Sequence, residues 1–288
     1  DAVELRQPDR VPVTFGEGVF PARHAGLTAS AMYYDIGAYR EAIRQSILEF
    51  EPDLCGGGVA ATSGTALELL ETKNQRWPGG TLPDDIPYQF VEGEYMKAEE
   101  YDIFLNDPSD FALRYYYPRI YGTLGPLTKL PPFRNLGFTA MAHLFATPEF
   151  KHLADILYKV GQEQQKAREL AAGAEDEMNR LGFPTAQLGG GVGAAPYDLL
   201  GDQLRGMSGA MADMYRCPDK LLAACDKILQ WRLAAAVPAD PKKRANPKIL
   251  SRPLHKGAEG FMSLKQFETF YWPGLKASVI RDTELGYV

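Results

Sequence analysis

The sequence predicts an α/β fold built around a parallel sheet. Short apolar runs that end in glycine-rich or charged loops alternate with amphipathic helical segments, and this unit recurs about four times along the chain. No hairpin signal joins the apolar runs, so we expect the strands to lie parallel, with helices as crossovers. Such a sheet is either doubly wound or closed as a barrel, and both place their functional site at the carboxyl ends of the strands.

The first two units lie in the amino-terminal part of the chain. Residues 10–15 form a short apolar run after a turn signal, and the loop that follows this first predicted strand carries Glu17 and, further along, His24. Residues 39–50 have apolar side chains at helical spacing, and residues 51–58 contain the second predicted strand and its glycine turn. This segment is a helix that leads into a strand.

Residues 71–133 interrupt the alternation. They are rich in proline, glycine, tyrosine and acidic residues, and their helical pieces are short. We interpret the segment as an irregular excursion that covers one mouth of the domain, because long connections of this kind are often functional. Its three consecutive tyrosines, residues 115–117, are expected to serve packing rather than ligand stacking.

The second half of the chain returns to the strand and helix pattern. Thr147-Pro148-Glu149 predicts the start of one long amphipathic helix, which runs to residue 181 and ends at Gly182. The remaining elements are a third strand at 185–188, a glycine turn that opens into a helix over 189–216, a helix at 218–235, a fourth strand at 248–254, its loop at 255–260, and a further helix that starts at Ser263.

Composition limits the classes of function. The formal net charge is −6, and the one compact basic cluster is Lys242-Lys243-Arg244, so nucleic-acid binding is not expected. The three cysteines form no CxxC pair, which argues against a disulfide framework and indicates a reducing compartment. We expect no signal peptide, and no apolar run of the sequence approaches the ~18 residues that a membrane span needs. We therefore expect a soluble, cytoplasmic protein with no membrane association.

The candidate site is the set of polar residues at the predicted carboxyl ends of the strands. Asp198 and Asp202, four residues apart on the predicted helix, can share a face, and they can equally form a solvated ion pair with Arg205. We assign Asp202, Asp198 and His255 as candidate catalytic residues. The candidate substrate-binding residues are Glu17, His24, Tyr197, Arg205, Lys256 and Glu259, beside the glycine turn at 56–58.

Four phrases of the sequence carry a resemblance to a known family. They are DAVELRQPDRVPV (residues 1–13), GEYMKAEEYD (93–102), APYDLLGDQLR (195–205) and HKGAEGFMSLKQFETFY (255–271). Together they resemble the uroporphyrinogen decarboxylase superfamily of (β/α)8 barrels. This superfamily contains decarboxylases of tetrapyrrole biosynthesis and methyltransferases that move a methyl group between a corrinoid protein and a thiol or related acceptor. The resemblance implies one barrel domain over residues 1–288, incomplete at both ends, whose missing part would contain the zinc ligands of the methyltransferase branch.

Three positions depart from the decarboxylase pattern that the resemblance implies. The family's arginine-rich segment after the first strand is FGEGVF here (residues 15–20), so that Glu17 stands where cations would meet substrate carboxylates. Ala60 stands at the position of the aspartate that faces the pyrrole N–H groups. An ungapped alignment of residues 196–206 places Asp202 at a site tyrosine and Arg205 at a glutamate.

The departures favour a methyltransferase-like enzyme that acts on a methyl group carried by a corrinoid. Zinc, with His255 as the one candidate ligand in this chain, and a cobalamin carried by a partner protein are the cofactors that the resemblance implies. Two alternatives stay open, an authentic uroporphyrinogen decarboxylase and a non-catalytic barrel that binds a corrinoid or tetrapyrrole. The expected partners are a small-molecule or corrinoid-borne substrate and a corrinoid protein, and a homodimer is compatible with the sequence.

Overall fold

A computed structural model describes residues 6–16, 18–56, 61–133, 137–185, 191–239, 249–250 and 252–288. Within these ranges the chain is mostly helical. Strand β1 (Thr14–Phe15) pairs in parallel with β2 (Leu54–Cys55), with Thr14 opposite Leu54. Cys55 also forms a parallel bridge to Thr185, the one described residue of the third predicted strand, so residues of the first three predicted strands lie side by side in chain order. The parallel alignment that the sequence predicts is therefore present.

The helices of the first half either pack around the β1–β2 pair or lie within the excursion. They are α1 (Val19–His24), α2 (Ala31–Tyr34), α3 (Ile36–Phe50), α4 (Gly64–Leu69), α5 (Tyr101–Asn106), α6 (Pro108–Phe111), α7 (Tyr117–Ile120) and α8 (Phe138–Met141). Three segments of other helix types adjoin them. Two are 3-10 helical, at Ala98–Glu100 and Gly122–Lys129, and one is π-helical, at Ala112–Tyr116.

The second half contains the two longest helices of the described residues, α9 (Pro148–Ala171) and α13 (Pro218–Ala235). Its other helices are α10 (Ala174–Arg180), α11 (Pro196–Leu199), α12 (Gly206–Arg216), α14 (Leu264–Gln266) and α15 (Trp272–Glu284). A 3-10 turn at Ala142–Ala146 precedes α9, and π-helical turns at Leu200–Arg205 and Phe267–Tyr271 join α11 to α12 and α14 to α15.

Helix α3 shows how the sequence sets these elements. The Asp35 side chain caps its start by accepting a hydrogen bond from the backbone N–H of Ala38, at 3.0 Å. Tyr39, Ile43 and Ile47 follow at helical spacing and are buried against the strand pair. The helix ends at Phe50, and Glu51, which follows it, adopts a left-handed backbone conformation with φ of 44°.

The largest apolar core of the described residues joins part of the excursion to the second half of the chain. It joins α5 and α13 to the α11 segment and to Tyr271, and its fully buried side chains include Tyr101, Tyr197, Leu221 and Ile228. Burial of aromatic side chains of this size is the main stabilising contribution that such a core makes. This core forms the support under the candidate site.

Several elements differ from the sequence-based expectation. The single helix predicted over residues 147–181 is two helices, α9 and α10, because Gly173 adopts a left-handed conformation with φ of 75° between them. The excursion contains an antiparallel pair, β3 (Gln75–Arg76) with β4 (Gln89–Phe90), where no hairpin was expected. Helix α13 has the predicted bounds.

The strands are much shorter than predicted. Four residues pair as β1 and β2, and in the described part of the fourth predicted strand, residues 249–250 and 252–254, no strand forms. The backbone N–H of Leu250 nevertheless donates to the carbonyl of Val288, at 3.0 Å. The described residues thus contain two two-stranded pairings and no closed barrel. No helix among them has the length and apolar character needed to cross a bilayer.

Candidate functional site

The candidate site forms where the segment of α11 and the π-helical turn that follows it meet the loop at residues 255–257. Pro196 occupies the first turn of α11, where its missing N–H costs nothing, and the apolar residues of the same segment are buried in the core. Two carboxylates, Asp198 and Asp202, face the loop from this segment. Both of them contact His255 and Lys256.

Asp198 anchors the loop from the inside of the protein. Its carboxylate is fully buried and accepts hydrogen bonds from the backbone N–H of His255 at 3.2 Å, from the backbone N–H of Lys256 at 3.0 Å and from the Tyr271 hydroxyl at 2.5 Å. Burial raises the pKa of Asp198, although the hydrogen bonds from Tyr271 and Lys256 oppose that rise. These contacts fix the position of the loop backbone.

Asp202 holds the two side chains of the same loop. One of its oxygens lies 2.7 Å from His255 Nδ1, and the other contacts Lys256 Nζ. The Lys256 stem crosses directly over Gly201, where a Cβ atom would lie 2.7 Å from Lys256 Cε. The side chain of Lys256 is 7% exposed and that of His255 is 55% exposed, so the lysine is covered while the imidazole is open to solvent.

The pairing of His255 with Asp202 sets what the imidazole can do. Because the partner of Nδ1 is a carboxylate, we assign the ring proton to Nδ1, and Nε2 then carries the free lone pair. A carboxylate in this position orients the ring and stabilises the cation that forms when Nε2 takes a proton. The arrangement is therefore suited to general-base chemistry at Nε2.

Two buried tyrosines lie behind the carboxylates. The ring centroids of Tyr197 and Tyr271 are 6.0 Å apart, and burial raises the pKa of both hydroxyls. Among the described residues the Tyr197 hydroxyl has no hydrogen-bond partner, and the side chain of this predicted substrate-binding residue is fully buried in the core. Tyr271 is the residue that the sequence reasoning missed, although it ends the family-like phrase at 255–271.

Arg205 does not join the two aspartates. Its guanidinium donates to both oxygens of buried Asp213, at 2.6 and 3.1 Å, and to Glu94 and the carbonyl of Met96, at 2.5 Å each. Burial acts to lower the pKa of Arg205, but the hydrogen bonds to Asp213 and Glu94 outweigh it and raise that pKa. The predicted ion pair of Arg205 with Asp198 or Asp202 is thus wrong, because two carboxylates elsewhere already neutralise this cation.

The other predicted site residues lie apart from this cluster or outside the described residues. His24 Nε2 is 2.7 Å from Glu49 on α3, and its ring packs on Phe20 and Phe50, which both contact the ring of Phe15 at the end of β1. Glu259 is exposed and has no hydrogen bond or ion pair with the described residues. Glu17, Gly57, Gly58 and Ala60 lie outside the described residues.

The described residues do not fit a zinc site. They contain no group of three His, Cys, Asp or Glu side chains that could hold a metal ion, so the one candidate ligand, His255, has no ligand set around it. Cys55 and Cys225 are buried, and burial raises the pKa of Cys225 to about 12, which keeps its sulfur a thiol rather than the thiolate that binds zinc.

Comparison with known proteins leaves the site to be judged on its own geometry. No protein-family model, no curated protein and no solved structure matches the chain.

Proposed function

We propose that the chain is a methyltransferase-like enzyme of the uroporphyrinogen decarboxylase superfamily, in which His255 deprotonates the acceptor of a methyl group. The methyl group would come from a corrinoid carried by a partner protein. The observation that carries the proposal is the contact of Asp202 with His255 Nδ1, at 2.7 Å, because it leaves Nε2 of a solvent-exposed imidazole free to act as a base.

The (β/α)8 barrel is part of this proposal. It is supported by the parallel pairing of β1, β2 and Thr185 in chain order and by the contact between Leu250 and Val288. In such a barrel the loop that contains His255 and Lys256 would follow the fourth strand, and it would face the same mouth of the barrel as the start of the helix that follows the third strand. The meeting of these two segments in the candidate site agrees with that placement.

Methyl transfer requires three functions of the residues in this chain. A thiol or similar acceptor must lose a proton before its lone pair can attack a methyl carbon, and His255 Nε2 is placed to take that proton. Asp202 holds the imidazole in the required tautomer and stabilises the imidazolium. Asp198, through the backbone N–H groups of His255 and Lys256, holds the loop so that the base keeps its direction. No step here is assigned to zinc.

The charges around the site argue against decarboxylation of a polycarboxylate. Such a substrate needs unpaired cations to hold its carboxylates. Lys256 is paired with Asp202, and Arg205 is paired with Asp213 and Glu94. Neither cation is free for a substrate, whereas the imidazole of His255 is.

The test is methyl transfer from methylcobalamin to a simple thiol, followed by the change in the cobalamin absorption spectrum. We expect His255→Gln and Asp202→Asn to lower the rate about 100-fold or more, which is the usual contribution of a general base. His152→Gln is the matched control, because His152 is exposed on α9.

Three outcomes would contradict the proposal. A rate for His255→Gln equal to that of the control would remove His255 as the base. Conversion of uroporphyrinogen to coproporphyrinogen would restore the decarboxylase assignment. Binding of cobalamin without transfer to any thiol would indicate a non-catalytic binding protein.

A further inference from the structure

A cavity opens on the loop that directly follows the candidate base. It has a volume of about 350 Å³ and is lined by Gly257, Ala258, Glu259, Met262, Leu264 and Phe267. Its first wall residue, Gly257, is two positions after His255 in the chain. The cavity is at the lower end of the range that small-molecule pockets occupy.

The wall of this cavity is held by the same residues as the candidate site. The Phe267 ring stacks on Tyr271 with centroids 5.4 Å apart, and Tyr271 donates its hydroxyl proton to Asp198. Gly257 lies against the Tyr271 ring, where a Cβ atom would be 2.6 Å from the nearest ring carbon. A molecule in the cavity would therefore rest on a surface whose position Asp198 sets.

The lining combines apolar groups with one carboxylate. Met262, Leu264 and Phe267 offer a thioether, an alkyl group and an aromatic ring, all of which bind apolar groups, and the aromatic ring also attracts cations. Glu259 is the one ionisable residue in the lining, and among the described residues it has no cationic partner. The pocket thus attracts positive charge and repels negative charge.

We propose that this cavity binds the apolar, positively charged part of the methyl acceptor, a small amine-bearing thiol whose ammonium group pairs with Glu259 while its thiol, deprotonated by His255, takes the methyl group. The proposal rests on the proposed function for its link to methyl transfer, but the binding itself can be measured without turnover. The volume of about 350 Å³ holds about twelve non-hydrogen atoms, if each takes roughly the 30 Å³ of a liquid water molecule. A larger acceptor would have to extend beyond the cavity.

The test is calorimetric titration with three probes of one size and different charge: 2-phenylethylamine, 2-phenylethanol and phenylacetate. We expect the amine to bind about two- to five-fold more tightly than the alcohol, as a solvent-exposed ion pair allows, and phenylacetate to bind most weakly. Glu259→Gln should bring the amine to the affinity of the alcohol and leave the alcohol unchanged. Glu268→Gln, an exposed carboxylate outside the cavity lining, is the matched control.

A second variant tests the place of binding. Ala258→Leu fills the cavity at an exposed position, so it should weaken the amine and the alcohol together while the protein stays folded. The proposal is overturned if phenylacetate binds best, if Glu259→Gln and Glu268→Gln behave alike, or if no probe binds at millimolar concentration. Amine binding without methyl transfer would count against the proposed function alone, and methyl transfer without amine preference would count against the amine site alone.

Discussion

Replacement of Asp198 by alanine tests whether the buried carboxylate organises the site. The change removes the acceptor of three hydrogen bonds, from two backbone N–H groups and the Tyr271 hydroxyl. A buried donor that loses its partner costs about 1–3 kcal/mol. Relief of the cost of burying the carboxylate offsets part of this sum, so we expect the free energy of unfolding to fall by about 3–5 kcal/mol. That is a large fraction of the stability of a typical domain.

The measurement is urea denaturation near neutral pH, followed by circular dichroism. Two milder variants separate the contributions: Asp198→Asn keeps one acceptor oxygen, and Tyr271→Phe removes only the phenol donor, for which we expect a loss of about 1 kcal/mol. The free energy of unfolding should decrease in the order wild type, Tyr271→Phe, Asp198→Asn, Asp198→Ala. A loss below about 1 kcal/mol for Asp198→Ala would refute the reasoning, because the loop would then be held by other contacts.

Three further predictions follow from single contacts. Gly201→Ala places a methyl group against the stem of Lys256, so we expect lower methyl-transfer activity while the thermal unfolding midpoint changes little. Arg205→Met leaves the fully buried carboxylate of Asp213 without a cation, so urea denaturation should show that the free energy of unfolding falls by about 3–5 kcal/mol. Replacement of Asp213 by alanine in the same variant should restore part of this loss. Two hydrogen bonds, the larger contribution from Lys97 and the smaller from Arg205, hold the pKa of Glu94 below its usual 4.5. This carboxylate therefore stabilises the fold above that pH and loses its contribution as the pH falls, so denaturation of Glu94→Gln should show a weaker dependence on acid than wild type.

Local signals in the sequence predicted individual helices well. Pro218 at the first turn and the apolar spacing behind it gave α13 its observed bounds, and Ser263 caps α14 through its contact with the Gln266 N–H, as expected. The break between α9 and α10 was missed because Gly173 is tolerated inside a helix and ends one only when tertiary contacts favour the turn. The prediction of strand length was wrong for a related reason, since strand pairing depends on neighbours that are distant in the chain.

The candidate site was predictable only in part. Asp198, Asp202, His255 and Lys256 were grouped because loops at the carboxyl ends of parallel strands converge, and the structure places these four in contact. The partners of Arg205 could not be read in the same way. One lies eight positions further along the chain and the other is Glu94, in the excursion, and no periodicity in the sequence links such positions.

The π-helical turn at Leu200–Arg205 has a consequence for how sequence changes act on this site. A turn of this kind contains one more residue than an α-helical turn, and each residue rotates the direction of the next side chain by about 100°. Loss of a single residue here would turn Asp202 away from His255 without altering any side chain of the pair. The spacing of the segment therefore has to be kept as strictly as the identity of its carboxylates, and a relative with both aspartates but a shorter turn would lack the contact that orients the base.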